Sequence, residues 1–494
     1  MLLNNKKMKK LLYIIPICAS LLLSTSCKKE LLNPIPETVI SDGTAFDLPY
    51  RVANQVVSLY AGLKSGLFYG GRYIVYGDIR GEHFLLEDPN LVTNSDVWGL
   101  NPTNSANSVI NLWAQAYLVI NNCNVFLEGM NAKGSEVVGT TLSNNYIGEA
   151  RLIRALSYYS LLQYYARPYA DGQGSKLGLP LRLTGIKGPG FSDLARSTVA
   201  EIYTQILSDL DFAETNLPLT YSGAALQTTR AHRNTAVALK TRVYLSMQDY
   251  AKVISEANKI VPAAAPFVAS SGVAHALQAD ITNVFKAPYT TSESIFSMPF
   301  TTSAGDIPGT QNGLQAYYFA SATGNGSIFS LNPAGIIANA EWTATDKRRS
   351  FIYTAAGATG KKYLNKYPTP SPADYAPVIR WAEVLLNLAE ARVRTTNAVD
   401  AQAVALLNAI RNRSDATTTF TVASFATSAD LLNAILIERQ IEFLGEGLRN
   451  NDLMRLLQTI PAKGSAGAKG PSEEGYIWPA SATEKSLNKL WVDN

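Results

Sequence analysis

Residues 438–455 read ERQIEFLGEGLRNNDLMR, and this stretch constrains the fold more than any other part of the sequence. Acidic and basic side chains recur along it at spacings of three and four residues, which place opposite charges on one face of a helix. They are Glu438, Arg439, Glu442, Glu446, Arg449, Asp452 and Arg455. Gly445 and Gly447 indicate a helix end that needs permissive backbone angles. The pattern predicts an ion-pair network that holds this helix and its following loop against the rest of the molecule.

A catalytic interpretation of the same stretch is the alternative. A glycosidase uses two carboxylates, one as an acid and one as a nucleophile or base. However, structural networks also shift pKa values without any catalysis, and we therefore predict that the protein is not an enzyme. His83, His232 and His275 form no metal-binding spacing, and neither a GxSxG elbow nor a P-loop occurs. The sequence thus predicts no catalytic residue, no metal and no cofactor.

Outside this stretch the clearest signal is helical. Between Val199 and Leu217 the apolar residues follow the spacing of one helical face. Thr198 and Glu201 form a capping box, and Pro218 ends the segment. A second apolar stripe extends from Val378 to Ala389, with Glu383, Asn387 and Glu390 expected on other faces. Both segments predict helices.

Helices of this kind recur in pairs with small residues at their contacts. Residues 238–245 (ALKTRVYL) followed by 249–251 (DYA) are similar to a degenerate tetratricopeptide hairpin. The predicted fold class is mainly α, a tetratricopeptide-like platform of helical hairpins with a long, irregular, loop-rich insertion. The regions are expected at 46–261 (N-terminal helical region), 262–377 (insertion) and 378–494 (C-terminal helical region and tail).

Composition and charge exclude several classes of protein. Hydrophobic residues make up 47% of the 494 and charged residues 17%, which indicates a folded globular protein. Lysine and arginine number 43 against 39 acidic residues, and the excess of four lysines lies in residues 1–26. Since the remainder is neutral, nothing supports nucleic-acid binding. A disulfide scaffold is excluded because only Cys27 and Cys123 remain beyond that segment.

The N-terminus has the form of a bacterial lipoprotein signal. Lysines at 6–10 precede the apolar run 11–23, and small residues lead into Cys27. We predict a signal peptide over 1–26, lipid attachment at Cys27 and an extended tether over 27–45. The aliphatic residue Leu23 stands one position further from the cysteine than is usual. Ordinary secretion is the alternative.

Aromatic residues in polar, glycine-rich segments are the positive functional signal. Such rings stack on the apolar faces of sugars, while nearby polar groups bond hydroxyls. The segments of interest are 68–73 (FYGGRY), Trp98 with Asn101, Tyr317 with Tyr318, and Trp342. They are selected because a ring in such a loop is expected to have no core to join, although a packing role is the alternative for each.

Three motifs, in order along the chain, resemble the SusD/RagB family. They are 148–159 (GEARLIRALSYY), 379–386 (IRWAEVLL) continuing through 389–391 (AEA) to 407–413 (LNAIRNR), and 438–455. Together with the lipoprotein signal, the resemblance covers nearly the whole chain. It implies a helical platform, a ligand site and no catalytic machinery.

The resemblance also implies a place and a partner. The protein would be a nutrient-binding lipoprotein of the outer membrane, facing the cell exterior and covering a SusC-like TonB-dependent transporter. Ligands of the family are mostly glycans, with peptides in a minority. The ligand-site regions of the family correspond here to Asp78, Arg80, Trp98 and Asn101, and to Tyr317, Tyr318 and Trp342 of the insertion.

Other functions stay open on the residues alone. A glycan-degrading enzyme would need a carboxylate pair facing a cleft. A helical scaffold that binds only proteins would need no aromatic residues in loops. A peptide-binding member of the same family is the third alternative.

Overall fold

The computed structural model describes residues 44–493 except 90, 189, 304, 310, 320–326, 356–359 and 370–372. The predicted signal peptide, Cys27 and nearly all of the tether lie outside these residues. Helices dominate the described part. They are α1 (Pro49–Leu63), α2 (Arg72–Ile79), α3 (Ser95–Trp98), α4 (Asn107–Gly129), α5 (Ser135–Val138), α6 (Thr140–Tyr165), α7 (Val199–Asn216), α8 (Ala224–Thr229), α9 (Arg233–Ser246), α10 (Tyr250–Ala257), α11 (Leu314–Tyr318), α12 (Trp381–Thr396), α13 (Ala401–Ser414), α14 (Ser428–Glu442), α15 (Arg449–Arg455) and α16 (Ala482–Leu487).

The strands are short and form antiparallel pairs. They are β1 (Phe84–Leu86), β2 (Leu177–Pro180), β3 (Arg196–Thr198), β4 (Ser294–Met298), β5 (Phe329–Leu331), β6 (Ile352–Thr354), β7 (Lys362–Leu364) and β8 (Ala376–Arg380). β1 pairs with β5, β2 with β3, β4 with β8 and β6 with β7. Two of these pairs, β1–β5 and β4–β8, join segments that are far apart in the sequence. The mainly α class is confirmed.

The capping box of α7 is present as the sequence predicts. The backbone N–H of Glu201 donates to the Thr198 hydroxyl over 3.2 Å, and the Glu201 carboxylate accepts from the Thr198 N–H over 2.7 Å. The apolar stripe of this helix is buried against α6. α9 and α10 pack together as a hairpin, in agreement with the tetratricopeptide-like pattern.

Charged residues of the 148–159 motif join the N-terminal helices. The Arg154 guanidinium on α6 donates to both oxygens of Asp209 on α7, at 2.7 and 2.8 Å, and to the Asn124 side chain on α4. Glu149 accepts two hydrogen bonds from Arg230 and one from the Tyr60 hydroxyl. These motif residues therefore have structural roles.

The segment from Val378 differs from the prediction. Val378 and Ile379 belong to strand β8, and the helix begins only at Trp381. β8 pairs with β4, whose residues lie about 80 positions earlier and are invisible to a local pattern. Glu383, Asn387 and Glu390, which were expected on other faces of the helix, are buried as well, because α12 is surrounded by other helices and strands.

One hydrophobic core includes residues of all three predicted regions, among them Leu59, Phe296 and Leu386. The insertion 262–377 carries β4–β7 and α11 between its irregular segments, and its Tyr317, Phe329 and Phe351 are part of that core. The region boundaries stay a prediction. Within the described ranges, no helix combines the length and the apolar character that crossing a membrane requires.

Candidate functional site

The charged stretch 438–455 lies in two buried ion networks, and its Arg449 pairs separately with Glu82. The first connects the insertion, β8, α13 and α14. Its cations are Arg348, Lys366, Arg380, Arg411 and Arg413, and its carboxylates are Glu293, Asp346, Glu438, Glu442 and Glu446. The second connects Arg439, Asp452, Arg455 and Glu390. Each network pairs opposite charges, as the sequence predicts.

Glu442 shows why this cluster is unsuited to glycosidase chemistry. Its side chain accepts from Arg348 and Arg380, each over 3.0 Å, and from Arg413. Burial raises the pKa of Glu442, but these guanidinium groups lower it by more, so the net pKa lies well below the ordinary value. A general acid needs a raised pKa and access to substrate. Glu442 has a lowered pKa and is fully buried.

The premise that selected the loop aromatics, that their rings have no core to join, is wrong for all of them. Tyr69 and Tyr73 adjoin or lie in α2, and Tyr317 and Tyr318 lie in α11. These four rings are buried, as are Trp98 and Trp342. Irregular segments of this protein pack onto the core, so their rings have a core to join. That any of them contacts ligand stays a prediction.

Trp98 packs beneath the loop around Gly464. Its indole N–H donates to the Phe84 carbonyl over 2.9 Å, and the Lys463 ammonium lies 5.7 Å from the ring centre. A Cβ on Gly464 would already lie 3.2 Å from the ring. Trp98 therefore joins α3 to the C-terminal tail. Trp342 is covered in a similar way by the guanidinium of Arg349, 4.4 Å from its ring.

Asp78 and Arg80 are also buried. Asp78 accepts from the Tyr318 hydroxyl over 2.7 Å and from the Gly447 N–H over 3.0 Å, and burial raises its pKa to about 7. Arg80 donates to the Asn450 side chain and to the Tyr476 carbonyl, and burial lowers its pKa to about 10. The contacts of both residues join α2 to the segment around α15.

Asn101 is the predicted site residue that is exposed, and it lines an open groove with a volume of about 840 Å³. The groove lies between the loop after α3, the end of α6, and the C-terminal tail. Its walls are formed by Leu100–Asn104, Tyr165, Arg167, Arg196, Lys469, Ser472–Gly475, Ile477–Ala480, Trp491 and Asp493.

Backbone geometry brings these walls together. Leu100 has a φ of 58°, and its side chain is buried in a small core with Leu453 and Tyr476, so the next residue, Asn101, is directed outward. Gly475 has a φ of 88°, and a Cβ there would overlap the Leu100 carbonyl oxygen. A glycine at 475 is therefore required for the tail to approach the loop.

The groove contains the aromatic ring of Trp491 beside polar side chains that make no hydrogen bond to other described residues. Trp491 is partly exposed; the Arg196 guanidinium lies 4.7 Å from its ring centre, and its indole N–H donates to Asp493 over 2.9 Å. Burial lowers the pKa of Arg196 to about 10, and carbonyl oxygens accept its hydrogen bonds. Among the described residues that line the groove, the side chains of Asn101, Asn104, Lys469 and Glu474 make no hydrogen bond to another described protein group.

The sequence interpretation omitted Trp491, Lys469 and Glu474 because it treated the tail as a loop without function. The reasoning that selected Trp98, an aromatic residue in a polar segment, applies equally to Trp491. The groove contains one predicted residue, Asn101, and does not contain Asp78, Arg80, Trp98, Tyr317, Tyr318 or Trp342. Among the described residues, no group of three or more histidine, cysteine, aspartate or glutamate side chains is arranged to hold a metal.

A second cavity, of about 590 Å³, lies where the described chain begins. Ala45 and Phe46 form one side, and Lys187, in the loop between β2 and β3, forms another. Lys187 pairs with Glu128 of α4 over 2.7 Å. The Phe46 ring occupies space that a side chain at Gly129 would fill.

Two family models match the chain. One, described as "Starch-binding associating with outer membrane", matches residues 36–245. The other, described as the SusD family, matches residues 338–489. The matched segments include the 148–159 motif and the charged stretch 438–455.

Curated relatives are similar over part of the chain. A SusD-like protein P25 of Formosa agariphila is 26% identical over 296 residues, which are 58% of this chain and 50% of the relative. A SusD-like protein P38 of the same organism is 24% identical over 248 residues, 50% of this chain and 44% of the relative. The chain thus spans about half the length of the curated relatives it matches.

Solved structures are similar over nearly the whole chain. A SusD superfamily protein from Bacteroides fragilis is 32% identical with a TM-score of 0.80, covering 90% of this chain and 99% of that one. Surface glycan-binding protein A from Bacteroides thetaiotaomicron, solved in complex with laminarihexaose, has a TM-score of 0.70 at 17% identity, covering 90% and 99%. At 17% identity, the similarity to the glycan-binding protein shows only that the two proteins share a fold.

Proposed function

Because the chain belongs to the SusD superfamily, we propose that it is a non-catalytic lipoprotein of the outer-membrane surface that captures a glycan and passes it to a SusC-like TonB-dependent transporter. Attachment is through Cys27, and the ligand is an oligosaccharide rather than a peptide. One observation carries the proposal: the 840 Å³ groove combines the ring of Trp491 with uncommitted amide and charged groups.

The chemistry of the groove suits a sugar. An aromatic ring contacts the apolar face of a pyranose, and amide and carboxylate groups bond its hydroxyls. Asn101 and Asn104 supply amides on one wall, and Lys469 and Glu474 supply charged groups on the other. Both signs of charge are present, which favours a ligand rich in hydroxyl groups over one that is strongly charged.

In this proposal Trp98 is a positioning residue. Its contacts hold the end of α3 to the tail, and Asn101 follows three residues later. The other predicted residues, Asp78, Arg80, Tyr317, Tyr318 and Trp342, are buried and do not line the groove. Direct ligand contact by these residues stays a prediction.

Calorimetric titration with a panel of oligosaccharides, including laminarihexaose, and with short peptides tests the function. We expect an oligosaccharide to bind and Trp491→Ala to weaken its binding by about tenfold or more, because a stacking anchor is worth about 2 kcal/mol. Phe191→Ala is the matched control, since this exposed ring lies outside the groove and its loss should leave affinity unchanged.

Asn101→Ala and Glu474→Gln extend the test with exposed polar residues whose replacement leaves the core intact. Each should weaken binding without altering thermal unfolding. Full-strength binding by the folded triple variant would place the ligand elsewhere. Binding of peptides alone would favour the peptide-binding alternative, and cleavage of any oligosaccharide would refute the non-catalytic assignment.

A further inference from the structure

The cavity of about 590 Å³ at the start of the described chain shares no lining residue with the groove. α1 and α4 form its two long walls, and within each helix the lining residues follow the spacing of one helical face. They are Gln55, Ser58 and Leu59 on α1, and Asn122, Val125, Phe126 and Gly129 on α4. The volume lies within the range of small-molecule sites, roughly 300–1,000 Å³.

Close packing at one end and an aromatic ring at the other define this cavity. α1 and α4 approach each other at Gly62, where a Cβ would lie 3.1 Å from a methyl group of Val119. The cavity opens about one turn further along both helices. Phe46 closes its far end, because its ring occupies the space beside Gly129. The ring lies 5.8 Å from that of Phe126 and stays partly exposed.

The loop between β2 and β3 forms a third wall and is fixed to α4. The Asn121 side chain donates to the Ile186 carbonyl over 3.0 Å and accepts from the Ile186 N–H over 2.7 Å. The Gly185 N–H donates to the Glu128 carboxylate over 2.6 Å, and a Cβ on Gly185 would lie 2.7 Å from a methyl group of Val125. A glycine at 185 therefore allows the loop to approach the helix that lines the cavity.

The charged side chains that line the cavity are paired. Lys187 pairs with Glu128 over 2.7 Å, and Lys133 pairs with Asp47 over 2.6 Å. Hydrogen bonds from the Lys187 ammonium and from the Gly185 N–H lower the pKa of Glu128, so its carboxylate is ionised at neutral pH. Because each charge in the wall has a partner of opposite sign, a neutral ligand suits the cavity better than an ion.

Two amides in the walls are available to a ligand. Gln55 on α1 and Asn122 on α4 line the cavity, and their side chains make no hydrogen bond to another described residue. An acyl chain would cover these amides without bonding them, which costs free energy. A sugar would bond them through its hydroxyls while its apolar face contacts Phe46 and Val125. The walls therefore favour a saccharide over a lipid.

We propose that this cavity is a second saccharide site, which takes a neutral mono- or disaccharide independently of the groove. α4 links the two sites: Trp113 packs against Trp491 of the groove, with ring centres 5.8 Å apart, and Asn122 of the cavity lies about 14 Å further along the helix. Two sites on one chain would raise its avidity for a polysaccharide. The inference rests on the proposed function for the class of ligand.

Fluorine NMR tests the site, with 4-fluorophenylalanine at position 46 and, as a reference, at position 191, an exposed ring outside both the cavity and the groove. Maltose, cellobiose and laminaribiose are titrated into the full chain carrying Trp491→Ala, which weakens the groove. We expect a disaccharide to shift the resonance at 46 saturably and to leave the resonance at 191 unchanged. Gln55→Ala combined with Asn122→Ala should weaken this binding by about tenfold or more, since two amide hydrogen bonds are lost.

Asn54→Ala is the matched control for the double variant. This exposed amide precedes Gln55 on α1 and does not line the cavity, so its removal should leave binding unchanged. Ser58→Trp is an independent variant that fills the cavity from an exposed position, and it should abolish the saturable shift. Thermal unfolding of each variant verifies that the fold is retained.

The absence of a saturable shift at 46 with any of the three disaccharides would overturn the proposal, as would a shift that the double variant and Ser58→Trp both leave unchanged. A shift seen only when Trp491 is intact would also overturn it, because the resonance would then report on the groove. The two hypotheses fail separately. Loss of the cavity signal alone leaves the groove untouched, whereas oligosaccharide binding that Trp491→Ala does not weaken counts against the groove and not against the cavity.

Discussion

The indole of Trp98 is 7% exposed and contacts both Phe84 and the Lys463–Gly464 turn, so its environment is that of a core residue. Trp98→Ala should lower the free energy of unfolding by about 3–5 kcal/mol, because the cavity it leaves cannot collapse fully. Chemical denaturation measures this loss. Trp98→Phe retains most of the ring volume and should cost less. A Trp98→Ala variant of unaltered stability that binds ligand weakly would instead indicate a contact residue.

Glu442 differs from surface carboxylates because it faces three guanidinium groups in a buried site. Glu442→Gln should destabilise the fold by roughly 3–5 kcal/mol, since the removal of one charge leaves its partners uncompensated. The exposed Glu474→Gln, measured by the same thermal and chemical unfolding, should change stability by no more than about 0.5 kcal/mol. Unchanged unfolding of Glu442→Gln with loss of a hydrolytic activity would revive the enzyme hypothesis.

At the scale of elements, a stack of two histidines joins α9, the segment before β4 and α12. The rings of His232 and His275 lie 5.2 Å apart at an angle of 21°, and His275 lies 6.1 Å from Trp381. Burial, and for His232 also the neighbouring His275, lowers the pKa values to about 3 for His232 and about 4 for His275. Both rings are therefore neutral in the folded protein at neutral pH.

This stack predicts a loss of stability in acid. An unfolded histidine titrates near pH 6.5, so below that pH the unfolded chain binds protons that the folded chain excludes. The free energy of unfolding should fall between pH 6.5 and 4, by about 2 kcal/mol per histidine at pH 5. His275→Gln should remove about that much of the difference between denaturation at pH 7 and at pH 5. Equal pH dependence in the variant and the unaltered chain would contradict the assignment.

The elements that the sequence predicts well are those determined by nearby residues. α7 and its capping box depend on spacings within 20 positions, and the positive φ angles of Gly445 and Gly447 follow from a local helix end. β8 was predicted as helix because its partner β4 lies far away in the sequence. Only Asn101 of the groove was predicted. Asn101 and Trp491 line the same groove because the C-terminal tail crosses the loop after α3 at Gly475.

At the scale of the whole molecule, ionic contacts join regions that the sequence separates. Arg348 and Lys366 belong to the insertion, Arg380 to β8, and their carboxylate partners Glu442 and Glu446 to the end of α14 and its following loop. The same glycine-containing turn contacts α2 through Asp78 and Gly447. Buried contacts from the insertion, β8 and α2 therefore meet at the turn that follows α14 and fix its position without long regular elements.

In the proposed function, attachment to the membrane depends on Cys27, which lies outside the described residues. Two or more acyl chains hold a protein on a membrane stably, whereas a single chain binds reversibly. Cys27→Ser should therefore abolish incorporation of labelled fatty acid and shift the protein out of the outer-membrane fraction, measured in cells that lack the transporter. Cys123→Ser is the matched control, because Cys123 is fully buried in α4 and unavailable for acylation. Continued fatty-acid labelling of Cys27→Ser would refute Cys27 as the attachment site, and absence of labelling in the unaltered chain would refute the lipoprotein assignment. Loss of labelling with retention in the membrane fraction only when the transporter is present would show that the transporter, and not the lipid, supplies the remaining attachment.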